Sequence, residues 1–474
     1  MAAQPFDFGM IGLGVMGRNL LLNMADHGFK VIGFDKDGQK TGALESSATP
    51  GTTVKGVNTL QEMIDNLSVP RRIMLLVPAG KPVDDVIESL LPLVEKGDII
   101  IDGGNSHYTD TNRRVDYLQS KGLHFVGMGV SGGEQGARTG PSIMPGGDPV
   151  AYPHIQPMLE AVSAKVNGVP CVAHLGNGAA GHYVKMVHNG IEYAIMQILT
   201  ECYDLLHRGA GLNNDELHQV FDSWNKGDLQ SFLVEITADI FLQPDDKTSN
   251  RLVDMILDKA GAKGTGKWTS QDAMDLGVGI PGIDMAVTMR NISSIKEERV
   301  QAARLYPQAS HTITTAKEEF IQQVHDALFA SIVISYAQGL ALLHKASGDL
   351  KMDIPLPEVV RVWRGGCIIR SVLLEVFGKA YKENAQLGNL LLNTDVAQLL
   401  QKHLPNFRKV VSTAAEHGFA SGGLMTSLTY FDAYTTGQLP INLLQAQRDY
   451  FGAHTYQRVD EQGSFHTEWK KGNA

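Results

Sequence analysis

The chain has 474 residues, enough for two or three domains of ordinary size. Its hydrophobic fraction of 43% and charged fraction of 19% are typical of a globular protein, and its net charge of −10 argues against a protein that binds nucleic acid or an anionic membrane. Its three cysteines, Cys171, Cys202 and Cys367, stand far apart and in no metal-binding spacing, which favours a reducing, cytoplasmic location. We expect no secretory signal in the first ten residues and no membrane-spanning segment.

The N-terminal stretch predicts a dinucleotide-binding unit. A strand, a glycine-rich turn, an amphipathic helix and a second strand follow one another, and the turn reads Gly12-Leu-Gly14-Val15-Met16-Gly17. In such a GxGxxG turn the first glycine permits the tight bend, the second lets a pyrophosphate approach, and the third lets the helix pack closely. The free N–H groups at the helix start then bind phosphate, so we expect the whole turn to contact a cofactor.

Asp35 stands at the end of the second strand, where an acid hydrogen-bonds the ribose of NAD and repels the 2′-phosphate of NADP. Lys36 could attract that phosphate, but Asp35 and Asp37 flank it and leave the local charge negative. The sequence therefore predicts NAD as the preferred cofactor and NADP as a possible second one.

Strands alternate with helices to about residue 178, which predicts a Rossmann-like, doubly wound α/β domain. Ligands of such domains bind beyond the carboxyl ends of the strands. Asn105 and the run Ser131-Gly132-Gly133 follow predicted strands and are candidates for that edge, although ordinary turn chemistry explains them equally well.

The rest of the chain has helical periodicity and an internal resemblance. The stretch around His188 resembles the one around His325, and the stretch around Trp224 resembles the one around Trp363. A repeat this long predicts a large, duplicated all-helical domain rather than a solenoid.

The final stretch is rich in aromatic residues but too short to form its own core, so it has to bury against the chain's own body or against a partner. We expect three parts: a Rossmann-like domain over 1–178, an all-helical domain over 179–436 and a C-terminal tail over 437–474.

One predicted helix carries the most chemistry. Its polar face, at helical spacing, consists of Lys185, His188, Asn189, Glu192 and Tyr193. Such faces are usually solvated, but Gly190 in mid-helix suggests that a ligand or a backbone segment approaches closely. A lysine desolvated beside a nicotinamide can be neutral and accept the hydroxyl proton that is released when an alcohol loses hydride.

Long motifs in the same order resemble the 6-phosphogluconate dehydrogenase family over nearly the whole chain. These motifs are GLGVMG, IIIDGGNS, GVSGGEQGARTGPSIMPGG, GHYVKMVHNGIEY, KGTGKWTSQDA, SSIKEER and RDYFGAHTY. The resemblance implies oxidative decarboxylation of 6-phosphogluconate to ribulose 5-phosphate and CO2 with reduction of a nicotinamide cofactor.

The resemblance also implies residue roles. Lys185 would be the general base for the C3 hydroxyl, and Glu192 the acid that protonates C1 of the enediol; no metal is needed, since protonated Lys185 can stabilise the enolate oxygen. The residues implied to bind substrate are Asn105, Ser131, Gly132, Gly133, His188, Asn189, Tyr193, Lys263, Thr265, Arg290, Arg448 and His454. Of these, Arg448 and His454 lie in the tail and would serve the neighbouring subunit of a homodimer.

For the cofactor, the resemblance adds Val77, Pro78, Ala79 and Asn105. Members that use NADP typically have Asn-Arg-Ser/Thr where this chain has Asp35-Lys36-Asp37, and often a lysine at the position of Pro78, so both departures favour NAD. Two alternatives are a related β-hydroxyacid dehydrogenase, such as 3-hydroxyisobutyrate dehydrogenase, and a non-catalytic nucleotide-binding protein. The first is shorter than this chain, and the second would have no need of Lys185 and Glu192.

Overall fold

The computed structural model describes residues 5–307 and 312–469. The chain divides into two compact units, residues 1–427 and 428–474. The first four residues of the expected N-terminal domain and the last five of the expected tail lie outside the described residues.

The first unit begins with a seven-stranded sheet in the order β3-β2-β1-β4-β5-β6-β7. The first six strands are parallel, and β7 is antiparallel to β6. The strands are β1 (Phe8–Ile11), β2 (Val31–Phe34), β3 (Val54–Val57), β4 (Arg72–Leu75), β5 (Ile99–Asp102), β6 (His124–Ser131) and β7 (Ser142–Gly147), with a small hairpin of β8 (Lys165–Val166) and β9 (Val169–Pro170) after them.

Helices connect the strands and cover both faces of this sheet. Along β4, Met74 belongs to one buried cluster while its neighbours Ile73 and Leu75 belong to another, as expected when successive side chains point to opposite faces. The helices of this region are α1 (Val15–Asp26), α2 (Gly38–Ser46), α3 (Leu60–Asp65), α4 (Lys81–Leu90), α5 (Tyr108–Ser120), α6 (Gly133–Thr139) and α7 (Tyr152–Val162).

The helical remainder follows the hairpin. Its helices are α8 (Ala180–Asp204), α9 (Asn214–Asn225), α10 (Phe232–Leu242), α11 (Leu252–Met255), α12 (Thr265–Asp275), α13 (Pro281–Ser294), α14 (Lys296–Leu305), α15 (Lys317–Asp349), α16 (Leu356–Val362), α17 (Leu373–Glu383), α18 (Thr394–Glu416), α19 (Gly422–Thr435) and α20 (Ile441–Gly452). A π-helical turn (Leu205–Gly209) extends α8, and a 3-10 turn (Leu390–Leu392) precedes α18. The predicted fold class, a doubly wound Rossmann-like domain followed by a large helical part, is confirmed.

The same order of helices occurs twice. A long helix, a shorter helix with a tryptophan at or next to its C-terminus and a third helix make up both α8–α10 and α15–α17. The starts of the two third helices pair in antiparallel fashion, because Phe232 N donates to Arg370 O at 3.1 Å and Val372 N donates to Gln230 O at 3.0 Å.

Helix α15 is long and apolar enough to span a bilayer, but 89% of its most apolar window is buried within the protein. All three cysteines lie in the described part of the chain, where they are buried and free.

The second unit has a polar centre rather than an apolar one. Asp449, near the end of α20, is fully buried and accepts hydrogen bonds from Thr455 N at 2.9 Å, His466 Nδ1 at 2.8 Å, Thr467 N at 3.0 Å and Trp469 Nε1 at 2.9 Å. Burial alone would raise the pKa of Asp449, but these donors lower it far below its usual value. A single carboxylate thus organises a segment too short for an apolar core.

Candidate active site

The glycine turn has the geometry that the GxGxxG pattern predicts. Gly12 has φ +98°, and a Cβ there would lie 2.4 Å from the carbonyl oxygen of Leu76, while a Cβ on Gly17 would lie 1.9 Å from the oxygen of Gly12. At Gly14, in contrast, no described atom lies within 4 Å of the position a Cβ would take. The open space at the second glycine, at the start of α1, is therefore room for a phosphate.

A cavity of about 470 Å³ opens beside this turn and suits the adenosine end of a dinucleotide. It is lined by Ile11, Gly12, Gly14, Phe34, Asp35, Lys36, Lys40, Leu60, Leu76, Val77, Pro78, Pro82, Asp85, Val86 and Ser89. The predicted residues that do not line the cavity are Val15, Met16, Gly17, Asp37, Ala79 and Asn105, although Val15, Met16 and Gly17 form the first turn of α1.

Asp35 is held in place by the backbone of two turns. Its Oδ2 accepts from Leu13 N at 2.8 Å and its Oδ1 from Asp37 N at 2.9 Å, and Lys40 Nζ lies 3.5 Å from Oδ1. Burial alone would raise the pKa of Asp35, but these partners lower it, so the carboxylate is ionised.

The sequence counted Asp35, Lys36 and Asp37 as the charges around the cofactor pocket, and the structure changes this count. The side chain of Asp37 accepts from Gln39 N at 3.0 Å and caps α2, so its charge is engaged at a helix start. Lys40, in the first turn of α2, lies against the cavity and was not counted. The cavity wall therefore carries Asp35 and Asp85 together with Lys36 and Lys40.

Helix α8 crosses the carboxyl edge of the sheet at very close range. A Cβ on Gly181 would lie 2.2 Å from the oxygen of Gly127, and a Cβ on Gly129 would lie 2.3 Å from the Cβ of Lys185. Glycines on β6 and α8 thus let the helix lie against the backbone of the sheet and bring Lys185 beside the ends of the strands.

The polar face of α8 is largely buried and forms a connected cluster. Lys185 is 7% exposed, and its Nζ donates to Asn189 Oδ1 at 2.8 Å. His188 is fully buried, with Nδ1 at 3.1 Å from Asn189 Oδ1 and Nε2 at 3.4 Å from Ser131 Oγ. Glu192 Oε2 lies 3.9 Å from His188 Nδ1. The face is therefore not a solvated surface.

The environment brings the pKa of the base and the pKa of the acid in this cluster closer together. Burial lowers the pKa of Lys185, against the opposing charge of Glu192. Burial raises the pKa of Glu192, against the opposing charges of Lys185 and Arg290. A lysine that loses its proton more easily and a carboxyl that keeps its proton longer are suited to exchange protons with a ligand.

Helix α12 closes the other side of the cluster. Asn189 Nδ2 donates to Oγ1 of Thr265, the first residue of α12, at 3.1 Å. A Cβ on Gly190 would lie 2.8 Å from the side chain of Thr269, which donates to Met186 O. The mid-helix glycine therefore accommodates a neighbouring helix; the ligand that the sequence suggested as one reason for it is not needed to explain it.

A positively charged side chain lies beside α8 one turn beyond Asn189. The guanidinium of Arg290 stands 3.5 Å above the ring of Tyr193, and its Nη1 donates to Gly261 O at 3.1 Å. Lys263 follows in the same loop and is exposed. Tyr193, Thr265 and Arg290 are thus gathered around the start of α12, as expected for an anion-binding end.

The remaining predicted residues are placed as follows. Ser131 ends β6 and is 3% exposed, while Gly132 and Gly133 have φ of +124° and +63° at the start of α6. Asn105 is exposed in the loop after β5. Within the second unit, Arg448 Nη1 donates to Gln445 Oε1 at 3.2 Å and His454 packs edge-on against Phe451.

Two buried networks behind the site were not found from the sequence. Asp272 of α12 accepts from the hydroxyls of Tyr108 and Tyr183, which joins α12 to α5 and α8. Their sequence signal is weak, because the three residues are far apart in the chain and only their side-chain chemistry connects them.

The second network lies under the end of β5. Asp102 accepts from Ser106 Oγ at 2.6 Å and from Arg114 Nη1 at 3.4 Å, and His182 Nδ1 lies 2.7 Å from Thr111 Oγ1. The run DGGNS, which carries Asp102 and Ser106, could have pointed to it. Separately, His107 caps α5 by accepting from Thr109 N at 3.3 Å.

A Rossmann-like domain with an open phosphate turn, joined to a helix that carries a buried lysine, a histidine and a carboxyl group, defines a nicotinamide-dependent dehydrogenase. The match to known proteins is more specific. Residues 7–176 match the NAD binding domain of 6-phosphogluconate dehydrogenase, and residues 181–469 match the C-terminal domain of 6-phosphogluconate dehydrogenase. The chain belongs to the 6-phosphogluconate dehydrogenase family.

Individual relatives match the chain over nearly its full length. The chain is 50% identical to the NADP(+)-dependent, decarboxylating 6-phosphogluconate dehydrogenase of Bacillus subtilis, over 98% of this chain and 99% of that one. It is 48% identical to decarboxylating 6-phosphogluconate dehydrogenase 1 of Saccharomyces cerevisiae, over 96% of this chain and 93% of that one. A solved structure of the Plasmodium falciparum enzyme, described in apo form and in complex with NADP+ and with 6-phosphogluconate, superposes with a TM-score of 0.95 at 44% identity, covering 98% of this chain and 100% of that one. These matches favour the main prediction over both alternatives.

Proposed function

We propose that this chain converts 6-phosphogluconate to ribulose 5-phosphate and CO2 while reducing a nicotinamide cofactor. The observation that carries the proposal is the polar cluster of Lys185, His188, Asn189 and Glu192 at the carboxyl edge of a dinucleotide-binding sheet. Lys185 and His188 are buried, and Asn189 and Glu192 are partly buried. Relatives that are about half identical over their full length are named for this reaction.

Lys185 is proposed to be the general base. Its lowered pKa increases the fraction of neutral amine, which accepts the proton of the C3 hydroxyl as C3 is oxidised. The nicotinamide, when bound, accepts the hydride. The bond to the carboxylate then breaks, CO2 leaves, and the electron pair is taken up by the new C3 carbonyl, whose oxygen the protonated Lys185 stabilises.

Glu192 is proposed to be the acid that completes the reaction. Burial raises its pKa, so a proton is available on this side chain for C1 of the enediol, the carbon that the carboxylate has left. The bond between Lys185 and Asn189 holds the amine at one position on α8, so that base and acid keep a fixed spacing.

The two ends of the substrate are proposed to be recognised separately. Arg290 with Tyr193, Lys263 and Thr265 would bind the phosphate, since guanidinium and ammonium groups pair well with phosphate oxygens. The residues proposed for the carboxylate and the sugar hydroxyls are Asn105, Ser131, Gly132, Gly133, His188 and Asn189.

We also propose a homodimer in which the tail supplies Arg448 and His454 to the neighbouring subunit. Apolar side chains of the second unit are widely exposed, among them Leu443 at 64% and Phe451 at 73%. Mixing Lys185→Met with Arg448→Ala subunits should restore part of the activity, because each mixed dimer then holds one intact site. Mixed dimers that are demonstrably formed but inactive would contradict the shared site.

For the cofactor, two considerations oppose each other. Names of relatives favour NADP, since one is NADP(+)-dependent and another was solved with NADP+. The pocket of this chain favours NAD, because the ionised Asp35 lines the cavity and no lysine stands at Pro78. Lys36 and Lys40 reduce that preference. We propose that NAD is preferred and that NADP is used measurably. The kcat/KM with NAD should exceed that with NADP by about 5–150-fold, the range that a discrimination of about 1–3 kcal/mol gives.

The cofactor proposal is tested by the double variant Asp35→Asn with Lys36→Arg, which should shift the preference towards NADP. Lys40→Met in the wild-type background should shift it towards NAD, because it removes the lysine beside Asp35. If the wild type uses NADP better by about tenfold or more at low salt, Lys36 and Lys40 outweigh Asp35 and the NAD preference is wrong.

The catalytic proposal is tested by Lys185→Met. The rate should fall by roughly 10²–10⁴-fold or more while the far-UV spectrum and Tm stay close to those of the wild type. Lys409→Met, on an exposed face of α18, is the matched control and should leave the rate unchanged. A Lys185→Met enzyme with a normal rate would contradict the role of base.

We further propose a cytoplasmic location. The three free cysteines and the buried position of α15 support it. Localisation of a fluorescent fusion would test it.

A further inference from the structure

Three potential metal ligands meet between α15 and α18, outside the polar cluster on α8. His325 Nδ1 lies 3.1 Å from Asp326 Oδ1, and His403 Nδ1 lies 2.8 Å from the same oxygen. The three ligand atoms lie within 4.8 Å of one another. Asp326 and His403 are 7% and 3% exposed, so the cluster is shielded but reachable past His325.

A second layer of contacts orients two of these groups. His325 Nε2 lies 3.0 Å from Asp228 Oδ1, and Asn406 Nδ2 donates to Asp326 Oδ2 at 2.7 Å. A carboxylate on the far nitrogen of a histidine and a donor on the second oxygen of a carboxylate are the outer contacts found around metal ligands.

The two rings are also fixed by aromatic neighbours. His403 stacks on Phe329 with ring centroids 4.2 Å apart, and His325 meets Trp224 edge-on at 5.6 Å. The imidazoles therefore present their Nδ1 atoms to Asp326 without much rotational freedom, which lowers the entropy lost on binding an ion.

We propose that His325, Asp326 and His403 form a binding site for a divalent transition-metal ion of the Zn²⁺ type, with water as the fourth ligand. Two imidazoles and one carboxylate are a ligand set that Zn²⁺ accepts, whereas Mg²⁺ and Ca²⁺ require oxygen ligands.

Two of the three separations between the ligand atoms need only a small adjustment for this ion; the third, between the two imidazole nitrogens, is within 4.8 Å. Tetrahedral bonds of about 2.0–2.1 Å separate ligand atoms by about 3.3 Å. The present separations of 2.8 and 3.1 Å from Asp326 Oδ1 thus open by a few tenths of an ångström. The ion replaces the N–H protons that now point at Asp326, and these protons are released to solvent.

The ion would connect parts of the helical region that are distant in sequence. His325 and Asp326 lie near the start of α15, His403 lies on α18, and Asp228 lies in the segment between α9 and α10. A ligand that binds only the folded protein stabilises it, so the site should affect stability rather than the chemical step.

The test is calorimetric titration of the untagged, chelator-treated, full-length protein with Zn²⁺, and separately with Mg²⁺. We expect one Zn²⁺ per chain, a rise in Tm on binding, and no response to Mg²⁺. His403→Gln and His325→Gln should each abolish the binding, and Asp228→Asn should weaken it about 10–100-fold. His154→Gln, which removes an exposed imidazole from α7, is the matched control and should bind like the wild type.

Two histidine variants are used because His403 is buried and its replacement could affect folding, whereas His325 is partly exposed. The Tm of each metal-free variant shows whether it is folded. Absence of Zn²⁺ binding by the wild type would show that the cluster is a hydrogen-bonded network only. Equal binding by a folded His325→Gln variant would place the ion elsewhere; either result overturns the proposal.

Discussion

Gly129→Ala should inactivate the enzyme through the position of Lys185. The added Cβ would lie 2.3 Å from Lys185 Cβ and 2.8 Å from its Cγ, about 1 Å short of the 3.4 Å at which ordinary contact begins. Helix α8 has little space to retreat from the sheet, because α15 packs closely against it: a Cβ on Gly339 would lie 2.5 Å from the side chain of Ile191. The stem of Lys185 therefore has to move by about 1 Å, which breaks the 2.8 Å bond from its Nζ to Asn189.

A displacement of about 1 Å at a reacting group reduces a rate by roughly 100-fold, and overpacking destabilises a core by about 1–3 kcal/mol. We expect kcat to fall by about 100-fold, the KM for the dinucleotide to stay within a factor of a few, and the free energy of unfolding in urea to fall by that amount. Gly378→Ala is the control, since the nearest atom to its Cβ would be 3.9 Å away. A Gly129→Ala enzyme with wild-type kcat would show that the placement of Lys185 does not limit the reaction.

Three further changes separate binding, packing and ionisation. Gly14→Ala should raise the KM for the dinucleotide without lowering Tm, because the added methyl group enters the open space reserved for phosphate; a lowered Tm with unchanged KM would contradict this. Tyr183→Phe removes one of two hydroxyl donors to Asp272 and should lower the free energy of unfolding by about 1–3 kcal/mol, measured in urea; an unchanged midpoint would show that the contact contributes nothing. Burial raises the pKa of Glu201 to about 7, so the native state keeps a proton that the unfolded state has lost, and stability should fall as pH rises from about 4.5 to 7. In Glu201→Gln this part of the pH dependence should disappear from urea titrations, and an unaltered slope would assign it to other groups.

Local patterns in the sequence were enough to predict the sheet, the glycine turn and the catalytic helix. Strand and helix periods are local, and GxGxxG constrains neighbouring residues, so these features need no knowledge of distant contacts. The spacing of Lys185, Asn189 and Glu192 put them on one face for the same reason, and the structure shows that Lys185 is buried and that Asn189 and Glu192 are partly buried.

Features that depend on distant residues were missed or misread. Gly190 was read partly as room for a ligand, but Thr269 of α12 occupies the space beside it. Lys40 was omitted because the orientation of α2 relative to the cavity is set by tertiary packing, and the bonds of Asp272 join residues from three helices. A sequence contains no local signal for which helices meet.

The products formed from 6-phosphogluconate test the proposed function most directly. Purified protein should release one CO2 for each nicotinamide reduced, with ribulose 5-phosphate as the sugar product, and 3-hydroxyisobutyrate should give no comparable rate. Cofactor reduction without CO2, or a faster reaction with 3-hydroxyisobutyrate, would contradict the proposed function.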